Sequence, residues 1–406
     1  MDSKRFLRAG LAVVASLTLA SAGCQKAAPP AENAGTQSAA APQQIGGEDV
    51  VTLHRAKTDG DAAPQFLSAT VLPGRGMNLF QVTAFIPGKG EIPILASPSL
   101  SEAATTLNGQ GDDSAGNKSF SFGGAFLAPF ANRILGKLTD DGQGGQNVAT
   151  EWHGQPLTLH ANWKGKKPGA VPHAIHGLIL SSAATEVATT SVPDGQQVTG
   201  LIHAGDFGGH WFSKSDIAIS EELTGKDVEV SVTVKNVGDR PEPIGIGWHP
   251  YFAIPSGDRS QARLMVSGTE RTDVNNYDDV FATGKLLPVK GTPYDFSAAG
   301  GRPLGKMFLD DNWTNLKKDA AGSSFSEIID PASGYGLRIV GVSSQINSVQ
   351  AYAPVDKEFI ALEPQFNLND PFGKEWKGRD TKMVTVKPGD SVTWKVRLEL
   401  FVPSAK

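Results

Sequence analysis

Strict period-two alternation over two long stretches constrains this chain most. Val228, Val230, Val232 and Val234 alternate with Glu229, Ser231 and Thr233. Val392, Trp394, Val396, Leu398 and Leu400 alternate with Thr393, Lys395, Arg397 and Glu399. Successive strand side chains point to opposite faces, so each stretch predicts a strand with one buried and one polar face. Residues 200–204, 263–266 and 337–342 read as further strands, and residues 149–161 as a hairpin turning at His153-Gly154. A short strand over 383–386, the turn Lys387-Pro388-Gly389-Asp390 and the long alternating run predict a C-terminal hairpin. Runs of period 3.6 are absent, and the polar, glycine-containing segment 101–117 reads as a loop. The 46 glycines and 26 prolines suit many turns between short strands. The expected fold class is all-β, a sandwich of large antiparallel sheets, which hides many half-apolar strands most simply.

The N-terminus is of a different kind. Lys4, Arg5 and Arg8 precede an apolar run over residues 11–22, too short to span a bilayer as a mature helix. Ser21-Ala22-Gly23-Cys24 closes it. Small residues before a cysteine resemble a lipobox, with Ser21 where leucine is usual. The expectation is a lipoprotein signal peptide over 1–23 and acylation of Cys24, holding the chain to a membrane surface in the cell envelope. Gln25 follows the cysteine, and in envelope lipoproteins its resemblance favours the outer membrane, facing the periplasm. Residues 24–47, rich in Ala, Pro and Gln, read as a flexible tether, and 48–406 as one globular domain. Cys24 is the sole cysteine, which excludes an intrachain disulfide and a cysteine-based zinc site. A net charge of −5 without a basic stripe gives no reason to expect nucleic acid as a partner.

Two residues stand out chemically. His249 lies in Gly247-Trp248-His249-Pro250-Tyr251-Phe252, where Pro250 fixes the backbone and aromatics limit water. That setting suits a general acid or base, and equally a structural histidine at a strand end. Glu363 ends an apolar run before Pro364; burial there would raise its pKa toward a useful range, unless it is an edge residue facing water. His173 and His176 have the spacing of a metal motif, but strand alternation would send them to opposite faces and no further ligand stands at the right spacing, so no metal is expected.

Several short patterns then occur in a telling order: Asn132-Arg133-Ile134, His176-Gly177, His249-Pro250-Tyr251-Phe252, Leu309-Asp310-Asp311, Gln350-Ala351-Tyr352 and Leu362-Glu363. Asn162 falls between the first two, and Asn369-Asp370-Pro371 follows the last. In this order they resemble the aldose 1-epimerase (galactose mutarotase) family, over residues 50–402. The resemblance implies a galactose-mutarotase-like β-supersandwich that interconverts the anomers of a free monosaccharide with no metal or organic cofactor. It implies Glu363 as base, His249 as acid, and Asn132, Arg133, His176, Asp310 and Gln350 as sugar-binding residues, with Trp248 or Tyr251 as an apolar wall. Asp310 rather than Asp311 aligns with the family's sugar ligand. Leu178 replaces the family's second glycine and Gly247-Trp248 its Thr-Asn pair, marking a less typical branch. Two other readings are a non-catalytic sugar-binding module and a glycoside hydrolase using Asp310 and Glu363 as paired carboxylates.

Overall fold

The computed structural model describes residues 43–403 apart from 58, 59 and 61. The signal peptide, the acylation site Cys24 and nearly all of the tether lie outside the described residues. The described residues belong to one compact unit, dominated by two large antiparallel sheets.

The first sheet has nine strands and grows from the alternating stretches. Asp227–Asn236 pairs on one side with Ser215–Thr224 and on the other with Ser391–Phe401. Val228, Val230, Val232, Trp394, Val396 and Leu398 fill the core from this sheet. The second sheet has eleven strands. At its centre run, side by side, Gly268–Val274, Leu309–Leu316, Ser348–Ala353, Phe359–Gln365, Gly247–Ala253 and Gly124–Leu127. Phe126, Trp248, Trp313, Ile360 and Leu362 face the first sheet in the same core. The all-β expectation and the strands near 200, 263 and 337 match the structure.

The hairpin is present as Gln146–Trp152 and Gln155–His160. His153 and Gly154 make its two-residue turn at φ 48° and 77°, which matches the twist of the flanking strands.

Three local expectations need correction. The C-terminal hairpin does not form. Val384–Val386 pairs with Glu242–Ile244, and Ser391–Phe401 is taken up on both sides, by Asp227–Asn236 and Tyr335–Gly341. A strand with an apolar face this long buries more between two neighbours than in a hairpin with three residues. A helix, Leu100–Thr106, capped by the Ser99 hydroxyl accepting from the Glu102 amide, runs into segment 101–117, expected to be a loop. Ala103 is its one buried residue, so no apolar period marked it. The fold also begins inside the expected tether. Gln44–Ile45 pairs with Glu48–Asp49, and Ile45 is buried against Leu72 and Phe80.

Candidate active site

Alternation along Gly247–Ala253 decides which residues face the site. Trp248 and Phe252 point into the core between the sheets, while His249 and Tyr251 point the other way. Trp248 stacks on Phe126 and donates its indole N–H to the Gly124 carbonyl at 2.9 Å. A Cβ at Gly124 would lie 2.5 Å from that indole nitrogen, so the glycine makes room for the ring. Trp248 is therefore a core residue and not a wall of the site; Tyr251 is the wall.

Neighbouring strands bring the partner of His249. The pairs Gly247–Gln365 and Tyr251–Ala361 bracket His249 and Glu363 in the ladder. His249 Nε2 lies 3.3 Å from Glu363 Oε1, with the residues 5% and 2% exposed. Burial pushes Glu363 well above the usual carboxylate range, aided by the Asp310 charge and opposed by Arg133. Burial likewise pushes His249 down to about 4. Across the 3.3 Å contact, burial thus disfavours the charged form of both members.

Next to the pair lies a closed ring of four side chains. Asn132 Nδ2 donates to Gln350 Oε1 at 3.1 Å, and Gln350 Nε2 donates to Asp310 Oδ1 at 2.6 Å. Asp310 Oδ2 faces Arg133 Nη2 at 3.5 Å, and Arg133 Nη1 donates back to Asn132 Oδ1 at 3.1 Å. Each charge or dipole is thus held by two neighbours, which preorganises the guanidinium. Asp311, on the other face, pairs with Arg271 at 2.9 Å, so Asp310 is the aspartate that meets the cavity.

Backbone conformation shapes the opposite side. Asn132 and His176 both adopt left-handed φ, 65° and 62°, and the His176 amide donates to the Asn132 carbonyl at 2.9 Å. Asparagine tolerates this region well and histidine moderately, and such backbone strain gathers at functional sites. Gly177 follows at φ 76°, where a Cβ would come within 2.4 Å of the Ala128 carbonyl oxygen. Only glycine fits, which explains the His-Gly pattern. Asn162 fixes this strand by accepting from the Ile175 amide at 2.8 Å. Asn367 clamps the Ala131 peptide from both sides, and the Asp370 amide holds the Arg133 carbonyl at 2.9 Å. The Asn369-Asp370-Pro371 pattern thus acts by bracing the Arg133 segment.

His249, Glu363, Asn132, Arg133, His176, Asp310 and Gln350 all line one cavity of about 500 Å³. His176 stands edge-on to His249 at 4.9 Å between ring centres; burial, then His249 and Arg133, lower its pKa well below the usual value. Glu363 Oε2, His249 Nδ1, His176 Nδ1 and Arg133 Nε are buried without a protein hydrogen-bond partner. His173 is not in the cavity lining; its Nδ1 meets the Val171 carbonyl at 2.9 Å. Among the described residues no group of three or more His, Cys, Asp or Glu side chains is placed to hold a metal ion.

Sequence reasoning missed an aromatic rim. Phe120, Trp163, Tyr277 and Phe308 also line the cavity, together with Tyr352. Phe308 and Tyr352 were within reach of period two, since each sits two residues from Asp310 or Gln350. Trp163 and Tyr277 come from connecting segments and carry no such signal.

A family model described as aldose 1-epimerase matches residues 102–399. YphB, an uncharacterized protein of Escherichia coli (strain K12), is 24% identical over 185 residues, 44% of this chain. The chain thus spans 57% of the length of that relative. A galactose mutarotase-like protein from Clostridium acetobutylicum shares the fold with a TM-score of 0.64, at 19% identity, over 84% of this chain and 94% of its own. The GalM/aldose epimerase homologue from C. elegans gives a TM-score of 0.61 at 16% identity, over 87% and 99%. The galactose 1-epimerase from Lactobacillus acidophilus NCFM gives 0.57 at 13%, over 88% and 99%.

Proposed function

Since the chain belongs to the aldose 1-epimerase family, we propose that it interconverts the α and β anomers of a free aldose by acid–base ring opening and reclosure. The observation that carries this reading is the buried His249–Glu363 contact of 3.3 Å, whose remaining polar atoms have no partner in the protein.

The reactive form is Glu363 ionised and His249 protonated, reached by moving one proton across the contact. Glu363 takes the proton of the C1 hydroxyl and His249 gives one to the ring oxygen. The C1–O5 bond breaks and C1 becomes an aldehyde. The pair then holds Glu363 neutral and His249 neutral, the state that burial favours. Rotation about C1–C2 and closure from the other face return both protons and give the other anomer. Arg133, held by Asp310 and Asn132, and neutral His176 stabilise charge as it shifts between O1 and O5. Each acid–base group contributes about 10²–10⁴-fold.

The hydrolase alternative needs Asp310 and Glu363 to work as a pair. Asp310 is instead engaged by Gln350 and Arg133, and the group in contact with Glu363 is His249. The test is anomer equilibration of a panel of free sugars, followed by polarimetry or NMR. Acceleration that vanishes in folded Glu363→Gln and His249→Asn supports the pair. Wild-type rates in both variants would make the assignment wrong, and no acceleration by the wild type would favour a sugar-binding module.

For location we propose acylation at Cys24 and an outer-membrane anchor facing the periplasm, supported by the charged start, the apolar run and Ser21-Ala22-Gly23 before the cysteine. A fatty-acid probe should label the wild type and not Cys24→Ser; equal labelling would overturn this.

A further inference from the structure

A second cavity, of about 570 Å³, is bordered by His160, His203 and His210. It lies behind the His176 segment: Gly177 and Leu178 line it, whereas His176 lines the catalytic cleft. His160 ends the strand Gln155–His160. Alternation there sends Leu157 and Leu159 into a small core with Phe130 and leaves Thr158 and His160 on the wet face. His210 arrives from a distant part of the chain. Phe207, Gly208 and Gly209 hold left-handed φ of 54°, 70° and 90°, and the Asp206 carboxylate accepts from the Gly209 amide at 3.1 Å. The chain turns sharply there and brings His210 to the strand, its ring centre 4.3 Å from that of His160 with the planes tilted by 50°. Phe207 at positive φ is backbone strain, which persists only where the surroundings fix it.

The hydrogen bonds decide which nitrogen of each ring is free. His210 Nδ1 lies 2.7 Å from the Thr158 carbonyl, which can only accept, so this nitrogen carries the proton. His160 Nδ1 lies 3.0 Å from the Asn147 amide oxygen, also an acceptor. In each neutral ring the lone pair is therefore on Nε2. A histidine that binds a metal ion holds its other ring N–H against an oxygen acceptor in this way. A ring nitrogen binds such an ion at about 2.0–2.1 Å, so two rings 4.3 Å apart can share one. Asp141, in the turn between Lys137–Asp140 and Gln146–Trp152, acts on His160 electrostatically and adds negative charge beside the pair. Two imidazoles next to a carboxylate suit a dication of the copper and zinc kind, whereas magnesium and calcium ask for oxygen ligands. Among the described residues no third His, Cys, Asp or Glu completes the set, which leaves the remaining positions to water.

We propose that His160 and His210 form a binding site for a d-block dication, Cu²⁺ or Zn²⁺ in class, through their Nε2 atoms and apart from the catalytic cleft. His203, on the same cavity, is engaged by Asp216 at 2.9 Å and is not a ligand.

The experiment titrates Cu²⁺ into the untagged full chain, first stripped of metal by a chelator, and follows binding by calorimetry and EPR. The wild type should take up one ion at this site, with an EPR spectrum coupled to imidazole nitrogen. His160→Ala and His210→Ala, shown to be folded by melting curves, should each weaken binding by at least about tenfold. Asn147→Ala releases the His160 ring without removing a ligand and should weaken binding about 10–100-fold. His203→Ala should bind like the wild type, and excess Mg²⁺ should not displace the ion. A wild type that binds no Cu²⁺, or binds it no more tightly than the double variant lacking both histidines, would overturn the site. A loss in His203→Ala as large as in His160→Ala would overturn the pair as the ligand set, and unchanged binding in Asn147→Ala would overturn the Nε2 assignment. Displacement by Mg²⁺ would overturn the ion class.

Discussion

Two buried glutamates, one in each sheet, show what the fold does with a carboxyl group. Glu221 lies on Ser215–Thr224 in the nine-stranded sheet, on the face that carries Ile217, Ile219 and Leu223 into the core. Both of its oxygens are buried without a partner, and burial alone drives its pKa up. Glu363 in the site sheet is equally buried, but it meets His249, feels Asp310 and Arg133, and borders a cavity. The same desolvation is a plain cost at Glu221 and a working condition at Glu363. The sheets differ in what covers the second face of their strands. Asp227–Asn236 turns Glu229, Ser231 and Thr233 toward water, whereas every residue of Phe359–Gln365 after the first is buried. Phe120, Asn132 and His176 roof that second face, and the site lies beneath them.

Substitutions in the two sheets should therefore be felt in different quantities. The largest effect is expected from Glu363→Gln, which keeps the shape and removes the base: the catalysed anomerisation rate should fall about 10²–10⁴-fold in polarimetry. The double variant with His249→Asn should lose little more, since the pair acts as a unit. A double loss equal to the product of the singles would separate the two residues. The pH–rate profile sharpens this. The pair loses its base when His249 also takes a proton, so activity should persist down to about pH 4 and decline below it. A free histidine base would already fail near pH 6.5. At high pH the rate should fall once the raised pKa of Glu363 is passed and the last proton leaves.

Trp394→Ala tests the opposite sheet. This fully buried ring crosses to Phe126 and donates its N–H to the Pro364 carbonyl at 3.2 Å, beside Glu363. Urea unfolding should show a loss of about 3–5 kcal/mol. Unchanged stability would mean that the sheets are not locked through this ring.

Glu221→Met should raise stability by about 1–3 kcal/mol at pH 7, because it removes an unpartnered buried carboxyl. The folded pKa of Glu221 is raised, so the wild type is favoured below the ordinary value of 4.5 and loses stability as pH rises above it. The gain should shrink in melts near pH 4; a gain independent of pH would assign it to packing. Smallest of all is Thr233→Ala on the wet face, where the Thr393 hydroxyl is its partner at 2.8 Å. Its thermal shift should correspond to within about 0.5 kcal/mol.

Alternation by itself determined two adjacent strands of the nine-stranded sheet, because a strand wetted on one face must repeat every two residues, and Val228 to Val234 and Val392 to Leu400 do so. Motif order by itself named seven of the residues that line the cavity. Their contacts were beyond its reach. Asn132 and Gln350 are 218 residues apart, and no local pattern states that their amides meet. Strand pairing was also decided in three dimensions: Val384–Val386 went to Glu242–Ile244 because the long C-terminal strand had apolar neighbours on both sides. Trp248 sits next to His249 in sequence and on the opposite side of the sheet in space, which the pleat fixes once one face is chosen. The choice of face, and with it the burial that shifts Glu363 and His249 in opposite directions, depends on the distant segments laid over the sheet. Desolvation is a property of surroundings, and surroundings exist only after folding.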